Sequence, residues 1–212
     1  MKDYYIYNDI EEKRYEDQIC SDSKSFVQFM NENKDSEITL HINTYGGEVK
    51  EAEAFVNAIS VHPKKVTAII EGVAASCGSW IALSCNDIFI FKNAEIMIHR
   101  VAMFNNNFAD ADDLTELAKE LLRYEVRIIE VYKNKAIDMN YDFLEAMKKE
   151  TVFKGYEAVD VWNIELIDNE NINNLEKTKY VNIAKKCSNY KPKTKNENEK
   201  KEIVDMIELL LN

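Results

Sequence analysis

The segment Gly72-Val73-Ala74-Ala75-Ser76-Cys77-Gly78 places one serine among small side chains, in a chain with only five glycines. A serine hydroxyl is a poor nucleophile at neutral pH and needs a neighbouring base, usually a histidine oriented by a carboxylate. Three histidines are available. His41 lies inside an alternating run, His62 precedes Pro63 on a loop, and His99 ends the apolar run Ile96-Met97-Ile98. A residue at a strand end can project into a cleft, which makes His99 the best candidate base. From spacing alone, a lone histidine after a strand is more often a packed or surface residue.

Four of the five glycines fall in two short stretches, Gly46-Gly47 and Gly72 with Gly78, each joining a strand-like run to a helix-like one. Glycine is needed where the backbone takes positive φ or approaches a ligand closely, and backbone N–H groups at such turns are oriented to hold an anion. Two such turns brought together could form an oxyanion hole.

The elements that must position these turns follow from the apolar spacing. Residues 4–7 form an aromatic β-type run, and 21–30 open with capping residues before helical spacing. Residues 38–43 (ITLHIN) are β-branched and end at Tyr45-Gly46-Gly47, after which Val49, Ala52, Phe55, Val56 and Ile59 repeat at helical spacing. The pattern recurs: a buried strand over 66–70, a small-residue turn over 72–78, and a helical run over 80–83. Two strand-helix units in series imply an α/β fold. Short strands are expected over 88–91 and 96–98. A long helix from about 110 to 135 would bury Leu114, Leu117, Leu121, Ile128 and Val131, and its length suits projection into a partner subunit.

With 212 residues, 46% of them hydrophobic, the chain can bury one sizeable core. A net charge of −11 disfavours a phosphate-tracking surface, so nucleic acid is not an expected ligand. No apolar run reaches the length of about 18 residues that a membrane helix needs. The acidic start has no export-type apolar region. The four cysteines show no paired spacing and have no clustered histidines nearby, so neither a metal nor a disulfide framework is expected, and reduced thiols in a cytoplasm are. The expected organisation is a domain over 1–187, a polar lysine- and asparagine-rich linker over 188–201, and a short amphipathic helix over 202–212.

Three motifs, INTYGG (42–47), GVAASCGSW (72–80) and IMIHR (96–100), resemble in order and spacing those of the Clp protease proteolytic subunit family. The resemblance implies a ClpP/crotonase-like fold of repeated β-β-α units with a projecting handle helix. It also implies a serine endopeptidase without a cofactor, working inside a homo-oligomer of roughly six or seven subunits per ring, in single or stacked rings. It places Ser76 as nucleophile and His99 as base. The segment ETVFKGYEA (150–158) resembles the one that carries the acid, which makes Glu150 the third member where many relatives have aspartate, with Asp160 as the alternative. The oxyanion donors carry over to the N–H groups of Gly47 and Cys77, and substrate would add as a strand beside Tyr45 and Gly46. Thr44-Tyr45 stands in place of a more usual Ser-Pro, and Asn163 where a turn glycine is common.

Within that family the closest likeness is to phage and prophage head-maturation members. Few residues precede the first strand, the segment RVAMFNNNFADADDL after His99 lacks glycines, and a tail extends beyond 168. A capsid or scaffold protein or a Clp-type ATPase is then the expected partner beside the protein or peptide substrate. Cys77 and Ser79 are rival nucleophiles, better read as a backbone donor and a small packing residue, and Lys64-Lys65 as solvated charge rather than half of a serine-lysine dyad. A crotonase-like acyl-CoA enzyme would share the two anion-holding turns without needing Ser76 or His99. A capsid-assembly or adaptor subunit without turnover would keep the ring alone.

Overall fold

Strands packed between helices carry apolar residues on both faces, and the two central strands of this chain do so: β2 (Ile38–Thr44) and the first half of β3 (Val66–Ala75) are almost wholly buried. The computed structural model describes residues 1–103 and 108–167. The expected linker over 188–201 and helix over 202–212 lie outside the described residues, as does the end of the 1–187 domain.

Among the described residues, the order is β1 (Lys2–Ile6), α1 (Ser23–Glu32), β2, α2 (Val49–Val61), β3, α3 (Cys77–Leu83), β4 (Asp87–Phe91), β5 (Glu95–Met97), α4 (Ala111–Lys135), α5 (Phe143–Lys148), β6 (Val152–Lys154), α6 (Gly155–Val161) and β7 (Glu165–Ile167). The main path of the sheet runs β1-β2-β3-β4-β7, with every neighbour parallel. The α/β class expected from the repeating units is the one observed.

Strand β3 forks the sheet. Its first half, Thr67–Ile70, pairs with β4, and its second half, Val73–Ala75, pairs with β5. The fork carries the chain from the body of the sheet to the place where Ser76 and His99 meet. Gly72 therefore lies inside a strand, correcting the expectation of a turn over 72–78; the turn is Ser76 itself. An added Cβ at Gly72 would meet Asn43 Oδ1 at 2.3 Å, and that space lets Asn43 accept the Val73 N–H at 3.0 Å. The bond spans the point where the β2–β3 register shifts, between Ile42 and Thr44.

Helix α4 runs for 25 residues from an Asp110 cap with a reciprocal Asp113 bond. Its buried seam is Tyr124, Glu125, Ile128 and Tyr132, at helical spacing and confined to its second half. Leu114 is 53% exposed, so the expected apolar face is corrected: in the single chain the first half of the helix leaves the core behind. The core beneath its second half is aromatic, with Phe143 stacked on Trp162 and Tyr132 against both. None of the described helices is long and apolar enough to cross a membrane.

Candidate active site

Ser76 ends β3 and caps α3 with φ 53° and ψ −122°, a backbone state that non-glycine residues seldom adopt. A sharp strand-to-helix turn of this kind can expose a side chain at its apex. The Ser76 N–H donates to the Met97 carbonyl at 2.9 Å, tying the turn to the end of β5. Two residues further on, His99 Nε2 lies 2.7 Å from Ser76 Oγ. A base that accepts the serine proton at Nε2 carries its own proton on Nδ1. The geometry thus joins the two residues singled out by their chemistry.

Glu150 is placed by a different argument. Strands β5 and β6 are antiparallel, pairing Glu95 with Lys154, Ile96 with Phe153 and Met97 with Val152. The Ile98 N–H continues the ladder to the Thr151 carbonyl at 3.0 Å, so the next opposed pair is His99 and Glu150. The side chains are not joined: the described hydrogen bond of the His99 ring goes to Ser76, and Glu150 is exposed. Asp160 is an exposed residue of α6. Ser76 and Glu150 are the two described non-glycine residues with positive φ.

The Gly46-Gly47 turn lies against the nucleophile. A Cβ on Gly46 would come within 2.7 Å of the Ala75 carbonyl and 2.8 Å of Ser76 Cβ, and its φ of 99° already requires glycine. Ile10 occupies one edge of this turn, donating to the Gly46 carbonyl at 2.8 Å and accepting from the Glu48 N–H at 2.7 Å. In extended chain, successive residues turn their polar groups to opposite edges, which leaves those of Gly47 on the other side. There its carbonyl accepts the Cys77 thiol at 3.4 Å. Among the described residues, no backbone carbonyl accepts from the N–H of Gly47 or of Cys77. Both amides therefore stand beside the Ser76 turn with capacity to bind an anion. Thr44 holds the turn from within, its hydroxyl donating to the Asn8 carbonyl and accepting the Gly46 N–H. Tyr45 is 61% exposed at the mouth.

The rival groups are less suited to attack. Burial pushes the Cys77 thiol up to about 11, so it stays protonated at neutral pH. Ser79 is fully buried, and its hydroxyl is engaged by the Ser76 carbonyl at 2.6 Å and the Tyr132 hydroxyl at 2.7 Å. Lys65 pairs with Asp87, and His62 bonds the Lys64 carbonyl. His41 has its own carboxylates, Glu71 at 2.8 Å and Asp3 at 3.5 Å, with Tyr7 donating to the second oxygen of Glu71. That His-Glu pair has half the look of a triad, but it is sealed in the sheet. Among the described residues, no three His, Cys, Asp or Glu side chains converge on a metal-sized site.

Two features escaped sequence reasoning. Arg100 forks onto the buried Glu125 of α4, with bonds of 2.7 and 2.9 Å, and so anchors the segment that carries His99. Ser79 is a bonded bridge rather than mere packing. Both depend on residues of α4 more than 20 positions away in the sequence, pairs separated by 25 and 53 residues, which no local pattern announces.

A model of the Clp protease family matches residues 5–169. The ATP-dependent Clp protease proteolytic subunit 1 of Chlamydia muridarum is 35% identical over 97 residues, covering 45% of this chain and 50% of the relative. The ATP-dependent Clp protease proteolytic subunit of Chara vulgaris is 27% identical over 158 residues, covering 73% and 72%. The chain spans about half the length of the first curated relatives it matches. A solved ClpP1 mutant from Listeria monocytogenes shares the fold, with a TM-score of 0.66 at 21% identity over 79% of this chain and 91% of that one. Since the family model takes in both turns, the histidine and the segment around Glu150, the chain belongs to the Clp protease family.

Proposed function

We propose that this chain is a serine endopeptidase whose nucleophile is Ser76 and whose general base is His99. The observation that carries the reading is the 2.7 Å contact between Ser76 Oγ and His99 Nε2 at a strained strand-to-helix turn. As Oγ bonds to the substrate carbonyl carbon, its proton passes to Nε2 and the carbonyl electrons move onto oxygen. The resulting oxyanion rests on the Gly47 and Cys77 amides, donors of a kind worth about 3–4 kcal/mol in the transition state. Collapse expels the amine, which takes the proton from Nε2 and leaves an acyl ester on Ser76. Water then enters by the same route, giving its proton to His99, and the ester breaks to acid and free serine. Glu150, opposite His99 in the register, is the carboxylate we assign to steady the imidazole.

The peptide would lie as a strand beside Tyr45 and Gly46, held by backbone bonds that tolerate varied side chains. Such broad cleavage is safest in an enclosed chamber of a ring-shaped homo-oligomer in a cytoplasm, with the exposed half of α4 as a contact between copies. The head-maturation type is favoured by the segment before α4: the described residues 98–103 and 108–110 form no strand, and the helix opens on an acidic capping box. A capsid or scaffold protein is then the favoured partner, with a Clp-type ATPase the alternative.

The test is labelling with a fluorophosphonate probe, with the modified peptide read by mass. Labelling at Ser76, lost in Ser76→Ala, is expected. No labelling of an assembled wild-type protein would sink the reading and favour a subunit without turnover.

A further inference from the structure

We propose that Tyr132 of α4 is a positioning residue for the oxyanion hole, acting through Ser79 on the peptide that joins Ser76 to Cys77. The inference rests on the serine-peptidase reading above. The carbonyl of Ser76 and the N–H of Cys77 are the two ends of one planar peptide unit, so whatever fixes the oxygen fixes the direction of the N–H. Three donors converge on that oxygen: the Ser79 hydroxyl at 2.6 Å, the Ser79 N–H at 3.0 Å and the Trp80 N–H at 3.4 Å.

The direction of the chain follows from counting protons. A carbonyl only accepts, so the single Ser79 proton goes to Ser76, and Ser79 Oγ must accept from the Tyr132 hydroxyl 2.7 Å away. Ser79 is 0% and Tyr132 2% exposed, so water does not compete for either group. Burial also pushes the phenol above its ordinary range, which keeps its proton in place. A chain of bonds polarised in one direction strengthens each member, and drawing density onto the Ser76 oxygen makes the Cys77 N–H a better donor.

Strain explains why this peptide needs holding. Ser76 sits at φ 53° and ψ −122°. A crankshaft flip of the peptide by about 180° would carry it into the left-handed basin near φ +57°, ψ +47°, which is more populated. The same flip would turn the Cys77 N–H away from Ser76 Oγ. The Tyr132–Ser79 chain opposes it. Because Tyr132 belongs to the half of α4 that packs on the core, the alignment of the oxyanion donor depends on how that helix is seated.

The experiment uses the full chain as wild type, Tyr132→Phe, Ser79→Ala and the double variant, with Ser76→Ala as the labelling control. The second-order rate of fluorophosphonate labelling, kcat and KM for a fluorogenic peptide, and the melting temperature are measured for each. Labelling and kcat should fall about tenfold or more in Ser79→Ala and about threefold or more in Tyr132→Phe, with KM within about twofold. Ser79→Ala strands a buried phenol and should melt lower, whereas the double variant should regain the melting temperature without regaining the rate. Wild-type labelling rates in Tyr132→Phe, or rates that recover together with stability in the double variant, overturn the proposal. Failure of the wild type itself to label at Ser76 overturns the underlying reading and the proposal with it.

Discussion

Glu150 stands opposite His99 in the antiparallel register that β5 and β6 begin, and it holds φ 50° there. The residue is the first beyond the C-cap of α5: the Glu150 N–H donates to the Met147 carbonyl and the Thr151 N–H to the Ala146 carbonyl, each at 3.2 Å. Glycine usually fills that position, since a side chain there costs about 1 kcal/mol or more. A glutamate at a position that favours glycine, beside the proposed base, fits the proposed role in chemistry rather than one in folding.

Glu150→Gly should therefore raise the unfolding free energy by about 1 kcal/mol while lowering kcat by about tenfold or more. Urea titration and peptide hydrolysis read the two effects separately. A stabilised variant of unchanged activity would remove Glu150 from the triad and return attention to Asp160.

Arg100 and Glu125 form the second link between the histidine segment and α4. Glu125 is 3% exposed, so Arg100→Ala leaves a buried carboxylate without its fork and should lower stability. The double change Arg100→Ala with Glu125→Leu should recover most of that stability, because an apolar replacement removes the stranded charge. Activity should stay low in both, since the segment after His99 loses its anchor. Chemical denaturation alongside peptide hydrolysis checks this, and full activity in the double variant would show the fork to be only structural.

The Ser76–His99 pair was legible in the sequence because its signals are local. Ser76 sits among residues too small to crowd a sharp turn, and His99 closes an apolar run of strand type. The strand-helix alternation was legible for the same reason. Gly72 misled, because a glycine that makes room for the Asn43 side chain looks in sequence like one that makes a turn. The seam of α4 misled as well: Leu114 and Leu117 share the helical period of Ile128, but only tertiary packing decides where along a long helix the core ends. The Tyr132–Ser79 and Arg100–Glu125 bonds were invisible, since each pairs residues whose neighbours in the chain say nothing of each other.

The exposed side of α4 carries Leu122 and Val126 at 51% and 66% exposure, four residues apart, with Leu114 two turns earlier at 53%. Leu122→Glu with Val126→Glu should leave the unfolding free energy of the single chain within about 1 kcal/mol of wild type, as surface changes do. The same change should shift the sedimenting mass toward the monomer. An unaltered assembly would move the contact between copies away from this helix.

Alkaline pH should destabilise the fold through Cys77. Burial raises its thiol from 9.0 to about 11, so between those values the unfolded chain releases a proton that the folded chain keeps. The stability conferred by the protonated native thiol is complete below pH 9 and is lost as pH rises towards 11. Two units amount to roughly 3 kcal/mol. Urea titrations should give a plateau from pH 7 to 9 and then a decline that Cys77→Ala shallows, the rest coming from Cys85, whose thiol burial raises from 9.0 to about 12 and whose contribution therefore falls over the same range and on to pH 12. Below pH 9 the same protonation keeps Cys77 unreactive, so among the described cysteines maleimide should modify the half-buried Cys20 before Cys77. Rapid labelling of Cys77 at neutral pH would mean that the Gly47 carbonyl does not hold its thiol, and would loosen the case for a preformed oxyanion hole.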